Sequence, residues 1–287
     1  MKATELLWRQ AERFGPLHVV DVGANPIEGD APYKALLEAG CLDLTGFEPQ
    51  PEALAALNAR KSARETYHPQ ALGAGGAADF HLYAHSGFAS LYPVRAEVAG
   101  MLGFARATQL RSVERVATAR LDDLAGLGPV DYLKIDAQGA EMDVISSGSG
   151  KLARAVLIQT EVRFLPLYDG EPGFAALDAE LRRQGFQFHD FAFLKRVPLS
   201  SSRRGRLRRA VLRQVVDGDA FYVRDLTTIA AWSESQVLRL ALLAHSVVAS
   251  PALVLFCLEA LAARGVVPEG IADEYLGLVP ANWLRAS

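Results

Sequence analysis

The chain alternates between two kinds of segment, and that alternation limits the folds open to it. Short apolar runs, "HVVDV" (18–22), "LDLTGFEP" (42–49), "ETYHPQALG" (65–73), "VDYLKID" (130–136), "RAVLIQTEV" (154–162) and "FQFHDF" (186–191), read as strands. Between them "APYKALLEAG" (31–40), "PEALAALNARKS" (51–62), "GAEMDVISSG" (139–148) and "GFAALDAELRRQG" (173–185) have helical spacing. Strands exchanged with helices in this way close as a mostly parallel sheet with helices on both faces. "DAFYVRDL" (219–226) reads as a last strand, which in such folds can run antiparallel. Residues 76–120 break the rhythm, with strands "ADFHLY" and "ERVATARL" around a loop and a short helix. The first fifteen residues read as an amphipathic helix stopped by Gly15-Pro16, and from Trp232 onward the pattern is helical.

The first strand runs into "DVGANPIEGD" (21–30), a glycine turn of the kind that holds a ligand. A dinucleotide fingerprint needs glycine at three places, G-x-G-x-x-G, so that the backbone can approach a pyrophosphate. Counted from Gly23, the second and third places hold Asn25 and Glu28. A side chain and a negative charge there disfavour phosphate ligands. S-adenosylmethionine carries no phosphate and asks for a turn beneath its methionine end and a carboxylate for its ribose hydroxyls. Glu48, 25 residues after Gly23 at the end of the second strand, offers two oxygens to vicinal hydroxyls.

Bulk properties exclude several classes. The net charge of −3 gives no reason to expect nucleic acid as a partner. Cys41 and Cys257 have neither metal spacing nor a disulfide framework and read as free thiols of a reducing compartment. The N-terminal residues carry charges where a signal peptide has its apolar core, so the expectation is a cytoplasmic protein. "LALLAHSVVASPALVLFCL" (240–258) lacks Asp, Glu, Lys and Arg, but Ser250-Pro251 is a helix-start signature. The stretch is therefore expected to be two buried helices meeting at a turn, with no transmembrane segment.

"VVDVGAN", "GFEPQPEAL", "ALG", "ARLDDL", "YLKIDAQGAEMDVISSG" and "IQTEVRFLPLYDGEPGFAALDAELRRQGF" occur in the order seen in FkbM-type methyltransferases. "LKIDAQGAEMDVI" is the strongest part of this resemblance, which covers roughly residues 17–225. The resemblance implies a Rossmann-like class I methyltransferase fold, with a mostly parallel seven-stranded sheet, and S-adenosylmethionine-dependent O-methylation. The implied acceptors are hydroxyls of sugars, polysaccharide ends or polyketide-type natural products. One departure stands out. The family commonly has a second glycine two places after the asparagine, where this chain has Ile27 preceded by Pro26. The cofactor loop is expected to differ there.

Ligands of open parallel sheets sit outside the carboxyl ends of the strands. That rule nominates Asp21, Gly23, Ala24, Asn25, Glu48, Pro49, Gln70, Ala71, Leu72 and Asp136 as cofactor-binding residues. Ser90, in the interrupted region, joins them through the family resemblance. Methyl transfer to an alcohol needs alignment and a proton acceptor. Asp136 is the first candidate base, Glu161 the second and His189 the third. Each has a structural alternative. Asp136 caps the next helix, Glu161 pairs with Lys134 or Arg163, and His189 is a strand-edge histidine. Glu141 belongs at a helix N-terminus, where a carboxylate is favourable. Asp136, Glu161 and His189 offer ligands for Mg²⁺, but no clustered acidic spacing demands it, and the metal-free reading is preferred.

The cluster Arg203, Arg204, Arg206, Arg208 and Arg209 is either a solvated loop or a grip for an anionic glycan, a nucleotide-sugar phosphate or a lipid headgroup, a peripheral contact. The expected organisation is a methyltransferase domain over 1–226 and a helical appendage over 227–287 that docks a partner or a second copy as a homodimer. A cofactor-binding scaffold without catalysis is the alternative from another class.

Overall fold

The computed structural model describes residues 3–25, 29–211 and 213–285. The chain opens with α1 (Ala3–Ala11), β1 (Leu17–Val22), α2 (Lys34–Glu38), β2 (Leu42–Phe47), α3 (Pro51–Arg60) and β3 (Glu65–His68). Then follow β4 (Ala71–Leu72), β5 (Gly76–Tyr83), α4 (Ala96–Leu102) and β6 (Leu110–Ala119). The second half contains β7 (Tyr132–Ile135), α5 (Glu141–Ser146), β8 (Leu157–Arg163), α6 (Phe174–Arg183), β9 (Phe186–Val197) and β10 (Gln214–Arg224). It ends with α7 (Glu234–Ser246), α8 (Pro251–Ala262) and α9 (Ile271–Leu276).

Seven strands form the main sheet in the order β3-β2-β1-β7-β8-β10-β9. β10 runs antiparallel to both its neighbours, and the other pairings are parallel. The winding reverses between β1 and β7, which opens a crevice at their carboxyl ends. This is the expected α/β architecture, including the antiparallel last strand. A second sheet of three strands, β4-β6-β5, accounts for the interrupted region.

Alternation along β1 places Val19 on one face and Val20 and Val22 on the other. Val20 and Val22 join Leu133, Ile135 and Ile158 beneath Val144 and Ile145 of α5 and Leu177 and Leu181 of α6. Val19 joins Leu44, Tyr132 and Leu157 beneath Leu7 of α1, Leu240 and Leu243 of α7 and Val254 and Leu258 of α8. The C-terminal helices thus cover one face of the sheet and share its core. A Ser233–Gln236 capping box starts α7, and Pro251 occupies the first turn of α8. Among the described residues no helix is long and apolar enough to cross a membrane, and the apolar stretch divides as its Ser-Pro step predicts.

Two strand readings need correction. "ETYHPQALG" is two strands in two different sheets, because Pro69 has no N–H to continue the ladder. β9 extends past "FQFHDF" to Val197, sustained by its antiparallel pairing with β10. Residues 26–28, where the cofactor loop is expected to depart from the family, lie outside the described residues.

Candidate active site

Gly23 closes β1 with φ +75° and donates to Phe47 O at 3.0 Å, as Ala24 N does at 3.2 Å. A Cβ on Gly23 would meet Asp136 O at 2.0 Å, so only glycine lets the turn lie against the end of β7. Beside this turn is a cavity of about 200 Å³. Its lining includes Gly23, Asn25, Glu48, Pro49, Gln70, Ala71 and Leu72 together with Asp136, Gln138, Glu161 and Arg163. Phe47, Phe80, Phe88 and Phe104 make much of its apolar wall.

Glu48 is buried directly after β2. Its Oε1 accepts from Gln50 N at 2.7 Å, and no side chain among the described residues donates to it. Burial pushes its pKa up to about 7; the Gln50 N–H opposes the shift, and Asp21 and Asp136 add to it. A buried carboxylate facing a cavity with hydrogen-bonding capacity to spare suits a ligand that brings hydroxyl donors. The uncharged turn at Gly23–Asn25 and the apolar wall suit the other ends of S-adenosylmethionine. The residues present therefore fit this cofactor.

Around Gln138 and Arg163 the lining is a network of charged and polar groups. Gln138, held at φ +49°, donates through Nε2 to Asp136 Oδ1 at 2.5 Å and to Glu161 Oε2 at 3.3 Å. Its Oε1 accepts from Arg163 Nη2 at 3.0 Å and from the Tyr168 hydroxyl at 2.9 Å. Arg163, buried, also reaches Glu161 at 2.6 Å, Asp217 at 3.0 Å and Glu171 at 3.5 Å. Burial raises the Glu161 pKa strongly; Arg163 opposes this, while Asp136 and Glu141 add to it. Glu141 opens α5 and accepts from Ala137 N at 2.9 Å and Gly139 N at 3.0 Å, the helix-start role foreseen for it.

Asp136, Glu141 and Glu161 bring carboxylate oxygens within 4.8 Å of one another. The donor set fits Mg²⁺ poorly, since Glu141 is occupied by backbone N–H groups and Glu161 by a resident cation, Arg163.

The remaining nominated residues fall outside the cavity lining. Asp21 accepts from the Tyr33 hydroxyl at 2.5 Å and from Lys134 Nζ at 3.0 Å. With Ala24 it lines an adjoining, wider cleft of about 860 Å³ that shares Gly23, Asn25 and Asp136 with the first. Ser90 donates to Gln138 O at 2.6 Å and accepts from Tyr92 N, which fixes the positive-φ turn. His189 is a correction. Because β9 continues to Val197, it is Lys195, near the strand's carboxyl end, that lines the cavity. His189 instead lies early in β9, with Nε2 3.2 Å from Ser250 Oγ at the start of α8. Glu161 pairs with Arg163, and Lys134 pairs with Asp21. Sequence reasoning missed Gln138 as a junction, and Glu171 and Asp217 as partners of Arg163. Only the fold brings the "YDGEP" loop and β10 beside β8.

A mostly parallel seven-stranded sheet in this order, with an antiparallel β10, is the class I methyltransferase fold. The chain belongs to the FkbM methyltransferase family, since residues 21–188 match the Methyltransferase FkbM domain. It is 45% identical over 67 residues to the 2-O-methyltransferase NoeI of Sinorhizobium fredii (strain NBRC 101917 / NGR234). That match covers 22% of this chain and 28% of the relative. Solved structures similar to it include a Methyltransferase FkbM from Methylobacillus flagellatus KT, at 12% identity and a TM-score of 0.37, covering 76% of this chain and 48% of that one. Magnesium protoporphyrin IX methyltransferase from Synechocystis PCC 6803 is 13% identical with a TM-score of 0.37, covering 77% of each chain.

Proposed function

We propose that the protein transfers a methyl group to a hydroxyl of a sugar or surface-glycan end. One observation carries this reading: Asp136 and Glu161 stand together in the lining of the cavity that also holds Glu48, a carboxylate-lined surface suited to an acceptor with several hydroxyls. The partial relative's name, a 2-O-methyltransferase, agrees with oxygen as the accepting atom.

When bound, S-adenosylmethionine supplies an electrophilic methyl carbon on a sulfonium. Glu48 would hold its ribose hydroxyls, Gly23 and Asn25 its methionine end, and Leu72 and Phe47 its base. Asp136 would take the acceptor's proton as the methyl carbon's bond to oxygen forms and its bond to the sulfonium sulfur breaks, the sulfur leaving as the neutral thioether of the demethylated cofactor. Gln138 orients Asp136 by its 2.5 Å hydrogen bond, and Arg163 fixes the position of Glu161 beside it. Residues 1–226 carry this chemistry, and 227–287 form the appendage that completes the core beneath it.

Calorimetry with the cofactor and its demethylated product, followed by labelled-methyl transfer to oligosaccharides, tests the reading. Cofactor binding with label on a glycan hydroxyl supports it. Label only on polyketide-type alcohols moves the assignment to natural products. Binding without transfer to any alcohol points to a scaffold. Activity lost in EDTA and restored by Mg²⁺ would overturn the metal-free mechanism.

A further inference from the structure

Between Phe191 and Val216 the sequence holds eight Lys or Arg residues and no Asp or Glu, in a chain whose net charge is −3. This segment is the end of β9, the connection to β10 and the first residues of β10. Arg203, Arg204, Arg206, Arg208 and Arg213 are exposed, and no ion pair among the described residues engages them. Elsewhere on the surface Arg13, Arg64, Arg115, Arg182 and Arg183 each meet a carboxylate. Cations held together without counter-charges repel one another, an arrangement that an external anionic surface relieves.

Charge is not the only unusual property of the loop. Leu199 is 47% exposed, Leu207 58% and Val211 59%, interleaved with these arginines around an open basin of about 760 Å³. Met101 of α4, 39% exposed, adjoins them, its carbonyl accepting from Ser200 N at 2.6 Å. A soluble polyanion needs the cations alone. Large apolar side chains alternating with arginines suit an interface where headgroups meet acyl chains. The position is also informative. Lys195 and Asp217, at the two ends of the segment, both line the active-site cavity, as does Phe104 just beyond α4.

We propose that the β9–β10 connection is a docking surface for an anionic lipid bilayer, seating the protein with its cavity mouth beside the membrane. Arginines contact headgroup phosphates and Leu199, Leu207 and Val211 enter the boundary beneath them. The inference stands on this surface and holds whichever acceptor the site takes.

Flotation of the full chain with vesicles tests it. Binding is expected to vesicles of phosphatidylglycerol mixed with phosphatidylcholine, and not to phosphatidylcholine alone. Arg203→Gln, Arg206→Gln and Arg208→Gln combined should lower partitioning by about tenfold or more. Leu207→Ser with Val211→Ser should leave binding that high salt releases completely, while the unaltered protein is partly retained. All these positions are exposed and outside the cofactor site, so unchanged cofactor binding checks that the variants fold. Equal binding to both vesicle types, or full binding by the triple arginine variant, would overturn the proposal. So would release of all bound protein by soluble polyphosphate with no effect of the leucine and valine changes, which would assign the loop to soluble polyanions.

Discussion

Glu48 ties cofactor recognition to pH. Its carboxyl ordinarily titrates near 4.5, and burial moves it to about 7 in the folded chain. Between those values the native state binds more protons than the unfolded one, so this residue's contribution makes stability fall as pH rises through that window. An ionised Glu48 is the better hydroxyl acceptor. Cofactor affinity should therefore rise as pH passes through about 7, and calorimetry on Glu48→Gln should find weaker binding with that pH dependence flattened. Unchanged affinity in Glu48→Ala would remove the ribose assignment. Arg163 sets a second expectation at this scale. It lies among the buried acids Glu161, Glu171 and Asp217, so Arg163→Met leaves them uncompensated. A loss of ~3–5 kcal/mol in denaturant unfolding is expected, the range for breaking a buried ion pair by removing one partner.

Among the elements, the turn after β1 has the least tolerance. Gly23→Ala meets both a positive φ and the Asp136 carbonyl, and should cost at least about 1–3 kcal/mol of stability together with cofactor binding. Most elements were legible in the sequence because local signals agreed with their final setting. β1, β2, β7 and β8 show apolar runs, Pro51 and Pro251 mark helix starts, and Gly23 marks the turn. What was illegible depended on partners distant in sequence. The length of β9 follows from β10, so the histidine nominated as its end residue is only its fourth. Asp217 approaches Arg163 because β10 folds back antiparallel to β8, in a register that no local pattern announces. The acids at 48, 136 and 161 were accessible because strand ends alone locate them.

At the scale of the whole molecule, the C-terminal helices are structural. Leu240, Leu243, Val254 and Leu258 are buried in the same core as Val19, Leu44 and Leu157 of the sheet. Truncation after residue 226 should therefore expose that core face and give aggregated or unfolded protein, which circular dichroism and gel filtration would reveal. A folded, cofactor-binding truncation would instead favour the separable appendage that the sequence suggests. Leu240→Ala should cost ~2–5 kcal/mol, since a fully buried leucine leaves a cavity.

The covering of the sheet by α7 and α8 also matters while the chain is being made. The strands of the main sheet lie before residue 225, yet one of their faces has only the short α1 and α2 over it until residues 234–262 have left the ribosome. Domains usually fold as they emerge, and exposed apolar faces recruit chaperones or aggregate. The core can close only once α7 and α8 have followed β10 out of the tunnel, so a nascent chain stalled after β10 should be protease-sensitive, and one released with α8 should be resistant.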